Sequence, residues 1–381
     1  MSIVLNHQTR KVGPEVQERI TALGIGERMQ DLPEHLWHKS FRFYVKEDPT
    51  RRGGPNLRMI RLDPNKPSLT VTAYIFNKFV HPFENRFITP REAARLQGFP
   101  DEMEFKGTLT SVQQQVGNAV PIPLAEAIFR SVLSHASTVA PNLKHFDAIS
   151  LFSGAGGMDI GAAKANFDGS QFRTRSALDN DKDCCESLNH YLGRGTKVVL
   201  GDIRGVDDPV EFSKQAGLDR SDIWLIYGGP PCQSFSQAGK QKGEDDPRGQ
   251  LIGEFLRFVA TICPRYFVME NVKGLKGIKE GVFLRQILRE MERLGYNVDY
   301  GVLSAADFGT PQLRKRIIFI GTKKELGKAT LPTPTHAESP GLLVPNRYLT
   351  VAEAFHGLPP ISPDSKRKTE WIELAGQNAR L

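Results

Sequence analysis

Residues 150–159 read Ser-Leu-Phe-Ser-Gly-Ala-Gly-Gly-Met-Asp: a hydrophobic strand runs into a glycine-rich turn, and a helix follows. Glycines in such a turn let the backbone approach a ligand closely, and the helix N-terminus favours polar or anionic groups. The dinucleotide fingerprint GxGxxG needs glycine where this chain has Asp159, which argues against a nicotinamide dehydrogenase. A tight structural turn is the plain alternative for the glycines taken alone. Working outward, Asp179 ends the next predicted strand, where it can hydrogen-bond ribose hydroxyls, and Asp202 ends the third similarly. Adenosine binding without a pyrophosphate suits S-adenosyl-L-methionine.

Between Phe146 and Gly321 short β-branched runs alternate with helical segments, the pattern of a parallel α/β sheet. Strands are predicted at residues 148–152, 173–178, 197–200, 223–227, 266–269 and 316–320, with 296–303 as a further candidate and a helix at 284–294. Before about residue 113 the chain changes character, with scattered Gly, Pro and charge and isolated strand-like segments such as 68–76. Residues 121–135 read as a helix with proline near its start, and 136–144 as a linker into the first strand. After Gly321 the chain turns proline-rich and carries the basic patch Lys366-Arg-Lys near its end.

The 381 residues, 39% apolar and 24% charged, suffice for one large core plus a smaller domain. A formal net charge of +7 fits a polyanionic partner but is informative only beside a motif. No basic stretch followed by an apolar one opens the sequence, and no apolar run nears the roughly 20 residues that span a bilayer, so neither a signal peptide nor a membrane partner is expected. The four cysteines, Cys184, Cys185, Cys232 and Cys263, form neither a disulfide framework nor a CxxC pair. A reduced, cytoplasmic protein with no metal follows as the expectation.

Residues 223–236, Ile-Trp-Leu-Ile-Tyr-Gly-Gly-Pro-Pro-Cys-Gln-Ser-Phe-Ser, deliver Cys232 to the C-terminal edge of the sheet. Open α/β folds place their ligands there. Gly228 and Gly229 allow a sharp exit, and two prolines stiffen the approach to the thiol. A lone cysteine is more often a small core residue, but a Gly-Gly-Pro-Pro turn is a poor core element. Residues 234–251, rich in Gly, Gln and charge, read as a surface loop that beside a nucleophile can serve as a lid. Glu270, in Glu270-Asn-Val, tips another strand; such an acid either faces water or, paired with Cys232, donates a proton. Arg314 and Arg316, in Gln312-Leu-Arg-Lys-Arg, share one strand face and either orient carboxylates and phosphates or form a solvated basic end.

Together these segments closely resemble the C5-cytosine DNA methyltransferase family. Phe152-Ser-Gly-Ala-Gly-Gly is similar to its motif I, Gly229-Pro-Pro-Cys-Gln-Ser-Phe-Ser to motif IV, Glu270-Asn-Val to motif VI and Gln312-Leu-Arg-Lys-Arg to motif VIII. Arg86-Phe-Ile-Thr-Pro-Arg-Glu-Ala-Ala-Arg-Leu-Gln-Gly-Phe-Pro resembles motif IX and Gln115-Val-Gly-Asn-Ala-Val-Pro motif X. Motifs IX and X usually follow motif VIII. Here they precede motif I, so the chain reads as a circular permutant.

The resemblance implies an α/β, Rossmann-like S-adenosylmethionine-dependent methyltransferase sheet with a second, smaller target-recognition domain. The catalytic domain is expected at 113–360, and the recognition domain at 1–112 plus 361–381, assembled from both chain ends. By resemblance, Cys232 attacks C6 of a cytosine flipped out of duplex DNA, Glu270 holds the base edge, and Arg314 and Arg316 orient base and acid. The cofactor set carried over is Phe152, Ser153, Gly154, Gly156, Gly157, Asp179, Asn180, Asp202, Ile203 and Pro230, completed by Asn118 and Ala119. A monomer acting in prokaryotic restriction-modification, with a cognate endonuclease as companion, is the context implied. Two rival readings are a tRNA cytosine methyltransferase on this scaffold and a catalytically dead DNA-binding homologue.

Overall fold

The computed structural model describes residues 2–47, 59–73, 78–231, 247–361 and 369–372. Its larger unit comprises Ala119–Gly309 and Arg314–Arg347. The unit is built on seven strands: β1 (His145–Leu151), β2 (Gln171–Asp179), β3 (Lys197–Leu200), β4 (Ile223–Gly228), β5 (Tyr266–Val272), β6 (Tyr296–Ser304) and β7 (Lys315–Lys323). They lie in the order β3-β2-β1-β4-β5-β7-β6. Only β7 runs antiparallel to its neighbours. The fold is thus the α/β, Rossmann-like type that the sequence predicts, with a mixed outer edge.

Alternation along each central strand feeds two cores. Ala148, Leu225, Val268 and Ile318 point to one face, and Ile149, Ile226, Phe267 and Phe319 to the other. The first face is covered by α1 (Ile122–Val139) and α2 (Gly157–Lys164), the second by α3 (Pro247–Ile262) and α4 (Val282–Arg293). Strands buried on both faces read as continuous apolar runs, which is why they were legible. Helices α1 and α2 approach closely because position 161 is glycine: a Cβ there would lie 2.5 Å from the Ala125 Cβ.

Strand order reverses between β1 and β4, and in open α/β sheets the ligand crevice opens at that reversal, beyond the carboxyl ends of the strands. The two strands are unusually tight at this point. A Cβ on Gly228 would sit 2.1 Å from the Leu151 carbonyl oxygen.

Three local expectations need correction. Helix α1 runs to Val139, so the linker is only residues 140–144; Ser134, Ala136 and Val139 extend a helical pattern already begun. Of the loop expected at 234–251, residues 234–246 lie outside the described residues and 247–251 belong to α3, proline being well suited to a first helical turn. Of the strand-like segment 68–76, Ser68–Leu69 is a strand, and 74–77 lie outside the described residues.

The smaller unit comprises Met1–Asn118, Thr310–Leu313 and Tyr348–Leu381. Ser2–Leu5 pairs antiparallel with Thr369–Ile372, and the His7 ring contacts Pro359 O and Thr89 Oγ1, both at 2.9 Å. Gln312 donates to Leu96 O and Gln97 Oε1 and accepts from Val71 N. The helix Pro90–Leu96 begins with a Thr89/Glu92 capping box. Its charged residues are scaffold: buried Arg86 pairs with buried Glu92 at 2.6 Å, and Arg91 donates to Leu5 O, Pro100 O and Met103 O.

Candidate active site

The chain leaves β1 through a strained turn tied to β2. Phe152 is non-glycine at φ 55°, and Gly154 and Gly156 follow at φ 54° and 85°. A left-handed phenylalanine persists only where its surroundings hold it. Here Ser153 N donates to Leu178 O at 3.2 Å, Gly156 N to Ser153 O at 2.9 Å, and Gly154 N to Asp179 Oδ2 at 2.7 Å. The Phe152 side chain packs against the Ile149–Leu151 core.

Its three glycines differ in purpose. A Cβ at Gly156 would strike Leu188 Cδ1 at 2.3 Å, and one at Gly157 the Val120 carbonyl at 2.3 Å, with Ala119 Cβ also near at 3.3 Å. A Cβ at Gly154 would meet nothing within 4 Å. Gly154 therefore presents bare backbone to open space while its neighbours are pinned to protein. Burial raises the Asp179 carboxyl above its ordinary range, against the N–H groups of Asp181 and Gly154 that it accepts. A cradle with one open glycine and a strand-end carboxylate suits an uncharged ribose better than a pyrophosphate. S-Adenosyl-L-methionine fits it.

The other residues carried over are scattered more widely. Asn180 is exposed beside Asp179, and Ile203 is buried. Asp202 caps the turn Ile203–Gly205 and is already engaged by Arg204, whose guanidinium and N–H hold its carboxyl down at about 2. Ala119 is buried behind Gly157, and Asn118 closes the helix Leu109–Asn118 in the smaller unit.

Beneath the turn lies a polar network that sequence reading missed. Asp159 is fully buried; Tyr227 Oη donates to its Oδ1 at 3.0 Å and also contacts Thr174 Oγ1 at 2.7 Å. Ser150 Oγ meets Ser153 Oγ at 2.8 Å. Desolvation pushes the Asp159 carboxyl up to about 6, partly offset by Ser150 and Tyr227. No single-sequence pattern marks such a contact, because its members come from β1, α2, β2 and β4.

At the neighbouring exit, Gly229 is required by an acid rather than by a turn. A Cβ there would lie 2.8 Å from Glu270 Oε2. Glu270, 9% exposed at the end of β5, is clasped from β7 by Arg316, whose Nε stands 2.6 Å from Oε1. Oε1 is thus committed to Arg316, and Oε2 faces the β4 exit. Arg314 is buried nearby; burial and then Arg316 lower its proton affinity to about 9, while Glu270 opposes them. It remains a cation at neutral pH. Asn271, named only as part of its motif in the sequence, donates from Nδ2 to Pro230 O at 3.0 Å and so fixes the buried proline ahead of Cys232. Cys232 itself lies outside the described residues.

The remaining cysteines have other settings. Burial pushes the Cys184 thiol well up and that of Cys185 up to about 12, with Asp179 reinforcing both. Such thiols are inert as nucleophiles. Cys263 precedes the start of β5, at the opposite edge of the sheet from Glu270. Among the described residues no cluster could hold a metal ion, and no helix is long and apolar enough to cross a membrane.

Comparison with known proteins follows this geometry. Type II methyltransferase M.AquIA of Picosynechococcus sp. is 43% identical over 235 residues, 57% of this chain and 90% of that protein. Type II methyltransferase M1.HphI of Haemophilus parahaemolyticus is 37% identical over 216 residues, 56% of this chain and 53% of that protein. Among solved structures, an E. coli prophage protein assigned as a DNA modification methyltransferase is 30% identical, with 57% of this chain and 56% of that chain covered and a TM-score of 0.44. The chain therefore spans about half the length of the latter two. The model of the C-5 cytosine-specific DNA methylases matches residues 3–134 and 146–367. Matched in two blocks that leave out little beyond the junction of α1 with β1, the chain belongs to the C-5 cytosine-specific DNA methylase family.

Proposed function

We propose that this member of the family methylates C5 of a cytosine extruded from duplex DNA, through a covalent bond between Cys232 and C6. The observation that carries this reading is the Glu270–Arg316 pair, whose free oxygen faces the strand exit that leads within three residues to Cys232. Cytosine C5 is a poor nucleophile; thiolate addition at C6 generates an enamine that attacks readily. Cys232 forms the C6 bond, and Glu270 Oε2 holds the N3/N4 edge and stabilises the proton gained there. Arg316 fixes the acid, and Arg314 adds positive charge. S-Adenosyl-L-methionine, when bound, supplies an electrophilic methyl group. Gly154, Asp179 and Phe152 would hold its adenosine part. Loss of the C5 proton and departure of Cys232 complete the cycle. The base must leave the stack, because C6 is inaccessible within it.

The order of the segments supports a circular permutation. Helix α1 sits ahead of β1 and packs on α2 across Gly161, so residues 140–144 need join only adjacent elements. The smaller unit, in which Ser2–Leu5 pairs with Thr369–Ile372, would then read the DNA sequence from both chain ends. A monomer working in restriction-modification beside a cognate endonuclease is the context this reading carries.

Bisulfite sequencing of DNA from cells expressing the chain tests it. Cytosines protected within one short sequence are the expected outcome. A Cys232→Ala protein that still methylates at the full rate would refute the covalent route.

A further inference from the structure

Beyond Lys323 the chain runs back along the outer strand β6. Asn297 Nδ2 donates to Gly327 O and Leu331 N to Asp299 Oδ2, both at 2.8 Å, and Thr335 N donates to Asp307 O at 2.9 Å. Strands β5 and β6 are both antiparallel to β7, hence parallel to each other. Asp307, just past the end of β6, therefore lies on the same sheet edge as Glu270 and Arg316. Two inter-strand steps, about 10 Å, separate β6 from β5.

A small loop is anchored at that edge. His336–Ala337 pairs with Asn346–Arg347, and Asn346 Nδ2 donates to Thr335 O at 3.0 Å. The His336 ring presses on left-handed Gly309, where a Cβ would come within 2.9 Å of it. At the tip Gly341 N donates to Val344 O at 2.9 Å, leaving Leu342 and Leu343 between them, 100% and 94% exposed. The next most exposed large apolar side chain among the described residues is Phe83, at 69%. Loop tips ordinarily carry Gly, Pro, Asn, Asp or Ser. Here Pro340, Gly341 and Pro345 frame the tip, and the tip itself is purely apolar.

We propose that Leu342 and Leu343 form a wedge that enters the DNA base stack beside the extruded cytosine; this rests on the reading of the protein as a DNA methyltransferase. Apolar side chains inserted at a base step unstack it and so lower the work of extrusion. Only Glu338 brings negative charge to the loop, against Arg347, so no acidic cluster repels the phosphates. A second copy of the chain is the poorer occupant. A stable dimer needs about 800 Å² from each partner, and two leucines offer a small part of that.

The test uses the full chain with Leu342→Ser and Leu343→Ser combined, both positions being too exposed to hold the fold together. Once sequencing has located the methylated site, two duplexes are built around it, one fully paired and one with an abasic site opposite the target cytosine. The variant should be about tenfold slower or more on the paired duplex, yet within about twofold of wild type on the abasic one, where little pairing opposes extrusion. Calorimetry should show unchanged S-adenosyl-L-methionine binding. Equal rates of variant and wild type on the paired duplex, or equal losses on both duplexes, overturn the wedge. So does a wild type that elutes as a dimer while the variant elutes as a monomer. Wild-type protein inactive on both duplexes, with no protected cytosine in cells, would instead defeat the methyltransferase reading.

Discussion

The two strand exits that meet at the sheet's reversal are built on opposite plans. After β1 the turn closes through Gly156 on Ser153 and is tied to β2 through Ser153 and Gly154, and it leaves the Gly154 α-carbon bare toward open space. After β4 no such turn forms. The segment is wedged between neighbours, Gly228 against the Leu151 carbonyl and Gly229 against Glu270, with Pro230 tied down by Asn271. The first is a cradle with bare backbone at Gly154. The second is a ramp, held by Leu151 on one side and by Glu270 and Asn271 on another. Two glycine-rich stretches of similar appearance thus differ in what surrounds them, and the lesson is that a glycine's role is set by what its missing Cβ would touch.

That contrast can be broken, and the sharpest attempt is Gly228→Ala. Its Cβ would meet backbone at 2.1 Å, with no flexible side chain to yield. Thermal denaturation should show a loss of about 3 kcal/mol or more, at the upper end for overpacking; a normal Tm would mean that the β1–β4 contact is looser than described. Glu270→Gln should leave cofactor binding intact and cut kcat by about 10²-fold or more, the range for a lost acid–base partner. A loss confined to cofactor affinity would move Glu270 from the ramp to the cradle.

Asp159→Asn probes what lies under the cradle. Its carboxyl is held at about 6 against an ordinary 3.8, so it stabilises the fold only while protonated. That contribution is complete below about pH 4 and is lost as pH rises through 6. Two pKa units correspond to about 3 kcal/mol. Asparagine keeps the bond from Tyr227 and cannot ionise, so the variant should exceed wild type in stability at pH 7.5, with the gap falling to about 1 kcal/mol by pH 4.5. A gap of constant size in urea titrations at both pH values would rule out a buried charge. The smallest structural effect is expected of Gly154→Ala: about 1 kcal/mol for alanine at positive φ, with S-adenosyl-L-methionine affinity reduced. Unchanged affinity would show that the open side of the turn does not face the cofactor.

Most of the sheet was legible because its strands are covered on both faces and read as apolar runs between turn residues. Boundaries were less so. Phe152, predicted as the last residue of β1, has already turned to φ 55°, a strain set by the bonds between Ser153 and Leu178 that no local propensity encodes. In the site, Glu270, Arg314 and Arg316 were visible as strand-end charges, whereas Asn271 and the Asp159–Tyr227 contact were not. Polar groups at ordinary core positions carry no sequence signal until their partners are known. The arginines of the motif IX segment show the reverse: Arg86 and Arg91, conspicuous beside a suspected nucleic-acid function, are spent on Glu92 and on backbone carbonyls.

By itself the sequence determined the α/β class, the glycine-rich turn after β1 and the residue types at each strand tip, since these follow from local chemistry and periodicity, and, through its motifs, the family. Only the tertiary structure decided which oxygen of Glu270 is occupied, why Gly228 and Gly229 tolerate no side chain, and that the loop bearing Leu342 and Leu343 is anchored at the sheet edge that carries Glu270. Each of those depends on atoms from strands distant in the chain that packing brings within a few ångströms. The glycines of the turn after β1 can be read from ten consecutive residues, but its closure needs Leu178 and Asp179 of β2, and the ramp after β4 exists only where three strands meet.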